Sequence, residues 1–168
     1  MQNTKPRYSI STFKRNADKF NTISGSAQKT TPSDIYNQIQ LMKEERLETI
    51  CAFDHGDMTG VLDGCVDVLY VTLGLLQKLQ NAGVDTEGAM KQVAQDNLKK
   101  FPKRVKEVTD SLRHYKEQDL ELTVDKNFEY NVYVLKDQND KVRKPLGFVG
   151  TDLSKYVPEN LTNHLIEG

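Results

Sequence analysis

The chain has 168 residues, 28% of them charged and 37% hydrophobic, with a formal net charge of −1. One domain is expected at this length, and the apolar share is thin for a monomeric core, which points to long amphipathic helices, an oligomer, or both. The charge balance excludes a strongly basic nucleic-acid binder by composition. With no run of roughly 18 apolar residues, no membrane span is expected.

Residues 1–9 hold no apolar stretch fit for a signal peptide. Cys51 and Cys65 lie in apolar-patterned segments. Together these features read as a cytosolic protein with reduced packing thiols.

Ile10, Phe13, Ala17 and Phe20 recur at helical spacing. A loop is expected over residues 22–31, with Thr22, Ser24-Gly25-Ser26 and Thr30. Thr31-Pro32 reads as an N-cap followed by proline in the first turn, opening a helix to about residue 52. Asp54-His55-Gly56-Asp57 breaks it. A third helix, about residues 58–79, is apolar around most of its circumference, which predicts a place central to its domain. Asn81-Ala82-Gly83 ends it, and Asp85 can cap a fourth helix reaching about Phe101. After Pro102, the residues Val105, Val108, Leu112 and Tyr115 mark a fifth helix with a charged outer face.

Beyond Gln118 the period falls to 2, in Leu120, Leu122 and Val124 and again in Tyr130, Val132 and Val134. The polar stretch Asp137-Gln138-Asn139-Asp140 reads as the hairpin turn. Residues 144–168 look mostly irregular, with a short final helix after Pro158. The expected architecture is one mainly α domain over residues 1–168. It has a helical body at about 9–117, then a small C-terminal β-hairpin and tail at about 119–168.

On the second helix, Ile35, Ile39, Met42, Ile50 and Phe53 form the main apolar face, and Leu41, Glu45, Glu48 and Ala52 a flanking stripe. Glu44 lies on the far side of that stripe. On the third helix, Gly60, Asp63, Asp67, Tyr70 and Gly74 share one line. Asp63 and Asp67 therefore leave the most apolar helix in the same direction. Ionised carboxylates drawn from water cost several kcal/mol unless paired, and four that face one another repel. Hard oxygen donors of this kind suit Mg²⁺, with Mn²⁺ as a substitute. A solvated helix face is the competing reading, strongest for Glu44 and weakest for the two aspartates.

The charge is uneven. Residues 44–67 hold seven acids against Arg46 alone, a net of −6, so the other 144 residues carry +5 to give −1. Lys99, Lys100, Lys103, Arg104 and Lys106 cluster after the fourth helix, and Lys141, Arg143 and Lys144 follow the polar turn. Surface solubility explains most of them, and one or two can neutralise a polyphosphate. Asn97 continues the apolar line Met90, Val93, Asn97, Phe101, so its amide is expected to point inward, as a core amide or a ligand contact.

Glu44-Glu45-Arg46-Leu47-Glu48 followed by Asp63-Gly-Cys-Val-Asp67 resembles the MazG-like, all-α nucleoside triphosphate pyrophosphohydrolase superfamily. Dimeric dUTPases and phosphoribosyl-ATP pyrophosphohydrolases belong to it. Phe13–Asn21, the run from Asp63 to Gly74, Gln95–Phe101, Lys141–Phe148 and Asp152-Leu153 resemble further motifs in the same order. One departure is Gly64, where the motif would have glutamate. Asp63 is the nearest carboxylate.

The resemblance implies a helical bundle completed by a second chain, in a homodimer or homotetramer. It implies Mg²⁺ held by Glu45, Glu48 and Asp67 with Asp63 helping. It implies Glu44, or else Glu48, as the base for an attacking water. Lys100 and Lys144 would offset phosphate charge, Asn97 would contact sugar or base, and Phe20 and Tyr70 would stack on the base. The expected activity is hydrolysis of a deoxynucleoside triphosphate to the monophosphate and pyrophosphate in pool control. No stable nucleic-acid or membrane binding is expected, and the location would be cytoplasm, or host cytoplasm for a phage-like protein. Phosphoribosyl-ATP hydrolysis ranks lower, because the hairpin and lysine-rich tail look more like phage-type hydrolases. A non-catalytic helical binding module is the alternative from another class.

Overall fold

A computed structural model describes residues 8–164. The elements in chain order are α1 (Ile10–Ile23), α2 (Pro32–Asp54), α3 (Met58–Asn81), α4 (Thr86–Leu98), α5 (Val105–Lys116), β1 (Thr123–Asn127), β2 (Val132–Lys136), a 3-10 turn (Ser154–Tyr156) and α6 (Glu159–His164). The fold is mainly helical with one small antiparallel hairpin, as the periodicity predicts. Two compact units make up the chain. The first contains α1 to α3 and the C-terminal segment from Lys155. The second runs from Glu87 to Ser154 and contains α5, the hairpin and nearly all of α4.

In the first unit, Thr31 caps α2. Its hydroxyl accepts the Asp34 N–H while the Asp34 carboxylate accepts the Thr31 N–H, and Pro32 follows in the first turn. The hydrogen bond from the Thr31 hydroxyl also holds the Asp34 carboxyl below its ordinary value. Asp57 caps α3 by accepting from the Thr59 and Gly60 N–H groups. Gly56, at φ +71°, makes the reversal between α2 and α3.

Helix α3 packs against both α2 and α1. Its C-terminal half also pins the α1–α2 loop. The Lys78 ammonium donates to the Ser26 and Lys29 carbonyls at 2.6 and 3.3 Å, and the Asn81 amide donates to the Ala27 carbonyl at 2.8 Å. Lys78 is buried, and burial lowers its pKa.

Expectation and structure part at several places in the first unit. One side of the N-terminal half of α3 is open: Leu62 is 67% exposed and Val66 42%. The apolar face of α2 is open too, with Ile39, Ile50 and Phe53 exposed and Ile35 buried. By length and composition α3 also qualifies to cross a bilayer, with a mean hydropathy of 1.5 over its most apolar window. The core helix of a soluble protein passes the same test, and Asp63 and Asp67 still break any continuous apolar run. Cys51 and Cys65 are free but exposed, so they are not packing thiols. Both lie on faces that α2 and α3 do not turn towards each other.

In the second unit, α4 stops at Leu98, short of the expected Phe101. The hairpin turn falls at residues 128–131, with Asn131 at φ +50°, and not at Asp137–Asp140. Thr123 pairs with Lys136 and Asn127 with Val132. The Asp137 segment forms a second reversal that brings Val142 against Lys136. It is built around the buried Asp137 carboxylate, which accepts from the Asn139 and Lys141 N–H groups at 2.8 and 3.0 Å. Asp137 also pairs with Arg143 at 2.6 Å.

Leu135 and Val108 are buried in this unit. Beside them the buried Ser111 hydroxyl donates to the Glu107 carbonyl at 2.5 Å and accepts the Leu146 N–H at 2.8 Å.

Candidate active site

The α2–α3 contact sets the geometry. Gly60, Gly64 and Gly74 of α3 meet Ala52, Thr49 and Gln38 of α2 in turn. A Cβ on Gly64 would lie 3.1 Å from the Thr49 Cα and run into the Thr49 hydroxyl. No larger residue fits without parting the helices. The Gln38 amide adds a hydrogen bond to the Val71 carbonyl at 3.1 Å.

Each step forward on one helix is matched by a step back on the other. In that antiparallel register Glu45 falls opposite Asp67, and Glu48 opposite the turn of Asp63 and Gly64. Gln38 and Thr49 are contact residues that helix-wheel reasoning passed over. The small residues at four-residue spacing on α3, Gly60 and Gly64, are the signal that could have found them.

The acids of the two helices act on one another. Burial raises the Glu45 pKa first, and the neighbouring charges of Glu48, Asp67, Glu44 and Asp63 raise it further. Glu45 and Asp67 are half-buried, while Glu44, Glu48 and Asp63 are exposed. Asp63 lines a shallow recess of about 580 Å³ at the start of α3, with Asp57, Thr59, Gly60, Leu62 and Val66. Among the described residues, no three Asp, Glu, His or Cys side chains are grouped closely enough to hold a metal ion as they stand.

The donor set nonetheless fits a hard divalent cation. It is all carboxylate, and it lies across one helix pair. Gly64 also accounts for the departure from the sequence motif. Its position faces α2 directly, where Thr49 leaves no room for a glutamate side chain.

The structure brings Phe20 and Tyr70 together. Tyr70 lies one turn beyond Asp67, and its ring meets Phe13 and Phe20 edge-on, with centroids 5.8 and 5.9 Å apart. Burial raises the Tyr70 pKa, and Phe20 is 58% exposed.

Asn97, Lys100 and Lys144 belong to the second unit. The inward amide expected of Asn97 is corrected. Asn97 is exposed and accepts from the Lys100 ammonium at 2.6 Å. Its neighbour Asp96 is the buried residue, and its carboxylate accepts from Lys99 at 2.6 Å and Gln92 at 3.0 Å. The Lys144 ammonium sits 5.1 Å from the Phe148 ring centroid.

A profile of the phosphoribosyl-ATP pyrophosphohydrolase family matches residues 12–97, which span α1, the α2–α3 pair and nearly all of α4. The chain belongs to that family. It is thereby a member of the MazG-like all-α superfamily, whose enzymes are pyrophosphohydrolases acting on phosphoanhydride bonds. All five acids, Phe20, Tyr70 and Asn97 lie inside the matched segment, and Lys100 and Lys144 lie beyond it. No curated protein and no solved structure matches the chain.

Proposed function

We propose that the chain is a Mg²⁺-dependent pyrophosphohydrolase that splits a nucleoside triphosphate between its α- and β-phosphorus atoms. Water adds to the α-phosphorus, pyrophosphate leaves, and a nucleoside monophosphate remains. The observation that carries this reading is the glycine-set register that puts Glu45 opposite Asp67. Glu45, Glu48 and Asp67 would hold the cation, with Asp63 at the edge, and Mn²⁺ would serve in its place. When bound, the cation supplies charge neutralisation for the phosphates and acidifies a water. Glu44, exposed beside this group, would accept the proton of the attacking water, with Glu48 as the other candidate. The Phe20 and Tyr70 rings would stack on the base.

Substrate-binding roles for Asn97, Lys100 and Lys144 rest on the motif resemblance. They are tested by single alanine substitutions, each expected to raise KM more than it lowers kcat.

The open apolar faces of α2 and α3 support assembly with a second copy, as a homodimer or homotetramer. The family match favours phosphoribosyl-ATP as substrate ahead of the deoxynucleoside triphosphate expected from sequence. The second reading keeps support from residues 98–168, whose hairpin and lysines lie outside the matched segment. The deciding experiment presents phosphoribosyl-ATP and a panel of nucleoside triphosphates with Mg²⁺ and measures pyrophosphate and monophosphate. Equal amounts of both products from one preferred substrate are expected. Orthophosphate as the product, or no turnover of any member, contradicts the proposal.

A further inference from the structure

The second unit holds a cleft of about 1290 Å³, bounded by the end of α4, the start of α5, β2 and the segment after Lys144. Its apolar lining includes Leu98, Tyr130, Val132, Val134, Leu146 and Val149. Much of that lining is open: Leu98 and Tyr130 are 69% exposed, Leu146 51% and Val149 81%. Large apolar side chains gathered around one concavity mark an interaction site. The volume exceeds the roughly 300–1,000 Å³ of small-molecule pockets, which fits a chain segment better than a metabolite.

Charge narrows the occupant. Lys99, Lys103 and Arg104 stand in the cleft wall. Residues 99–106 contain five bases and no acid. Lys99 is paired with Asp96 and Arg104 with Glu107, while Lys103 enters no ion pair among the described residues. The lip is therefore cationic and complementary to carboxylates. A single-stranded nucleic acid fits less well. It wants successive aromatic platforms, and in this lining the rings of Phe101, Tyr130 and Phe148 are outnumbered by aliphatic side chains and joined by the Glu107 carboxylate.

We propose that this cleft docks an acidic peptide segment of a partner protein, its apolar side chains filling the cleft and its carboxylates meeting Lys99, Lys103 and Arg104. None of these residues belongs to the hydrolytic site, so the two proposals stand or fall separately.

The test uses the full chain and a short fluorescein-labelled peptide of alternating glutamate and leucine, followed by anisotropy. Saturable binding is expected that weakens with added salt. It is also expected to weaken about tenfold or more in Lys103→Glu and in Leu146→Gln. Both positions are exposed, so both variants should keep the helical spectrum and the wild-type rate of pyrophosphate release. No binding, equal binding of a lysine–leucine peptide, unchanged affinity in either variant, or displacement of the peptide by oligothymidylate would overturn the proposal.

Discussion

Glu45 in the first unit and Asp96 in the second are both carboxylates partly or wholly drawn out of water, and their protons are held in opposite ways. Burial and four neighbouring acids push the Glu45 pKa up. Hydrogen bonds from Lys99, Gln92 and Thr151 take Asp96 down to about 2. Asp137 and Glu107 follow Asp96. Burial pushes the Asp137 carboxyl up, but the Asn139 and Lys141 N–H groups and Arg143 outweigh it and hold it below its ordinary value. Arg104 does the same for Glu107, chiefly through its side-chain hydrogen bond. Asp96, Asp137 and Glu107 are thus each satisfied by nearby donors and serve local structure. Among the described residues, Glu44, Glu45, Glu48, Asp63 and Asp67 enter no ion pair, which is the condition a functional cation would relieve.

The largest effect should come from removing an acid of the first set. Glu48→Gln and Asp67→Asn should each lower Mg²⁺-dependent turnover by more than about 100-fold, beyond the usual cost of losing an outer-shell partner of a metal ligand. The far-UV helical spectrum should be unchanged. Near-wild-type rates in either variant would erase the distinction between the two sets. Next comes the spacing that brings α2 to α3. Gly64→Ala forces the Thr49 backbone away and should cost about 1–3 kcal/mol in denaturant unfolding. A neutral result would mean that the helices can part freely and that the register does not set the site.

The smallest effect concerns acid stability in the second unit. The folded pKa of Asp96 lies below its ordinary value of 3.8, so its contribution is complete above that value. It is lost as pH falls from about 3.8 towards about 2. Asp96→Asn should flatten the pH dependence of unfolding in that window. An unchanged acid profile would remove Asp96 from the self-contained set.

Helix number and most helix boundaries were legible because caps and breakers are local. Thr31-Pro32 and Asp57 satisfy backbone groups within one turn. The acidic lines on α2 and α3 were legible for the same reason, since helical spacing alone puts Asp63, Asp67 and Tyr70 on one face. What was missed depends on tertiary contact. Asp96 and not Asn97 is the buried residue, and Thr151, remote in sequence, is among the donors to its carboxylate. The position of the hairpin turn is set by cross-strand pairing from Thr123–Lys136 to Asn127–Val132. The role of Gly64, a departure from the motif when read alone, emerges only from the Thr49 side chain across the helix pair.

On the proposed function, the acids Glu45, Glu48 and Asp67 of α2 and α3 would be completed by a divalent cation. The most direct test is the thermal midpoint of the wild type and of Asp67→Asn, with and without Mg²⁺, over a series of pH values. A raised folded pKa at Glu45 means stability is fullest below the ordinary carboxylate value and declines as pH rises through the shifted one. Mg²⁺ should restore that loss, so its stabilising effect in the wild type should grow with pH and should largely vanish in Asp67→Asn. An equal Mg²⁺ effect in both proteins, or none in the wild type at any pH, would contradict the account.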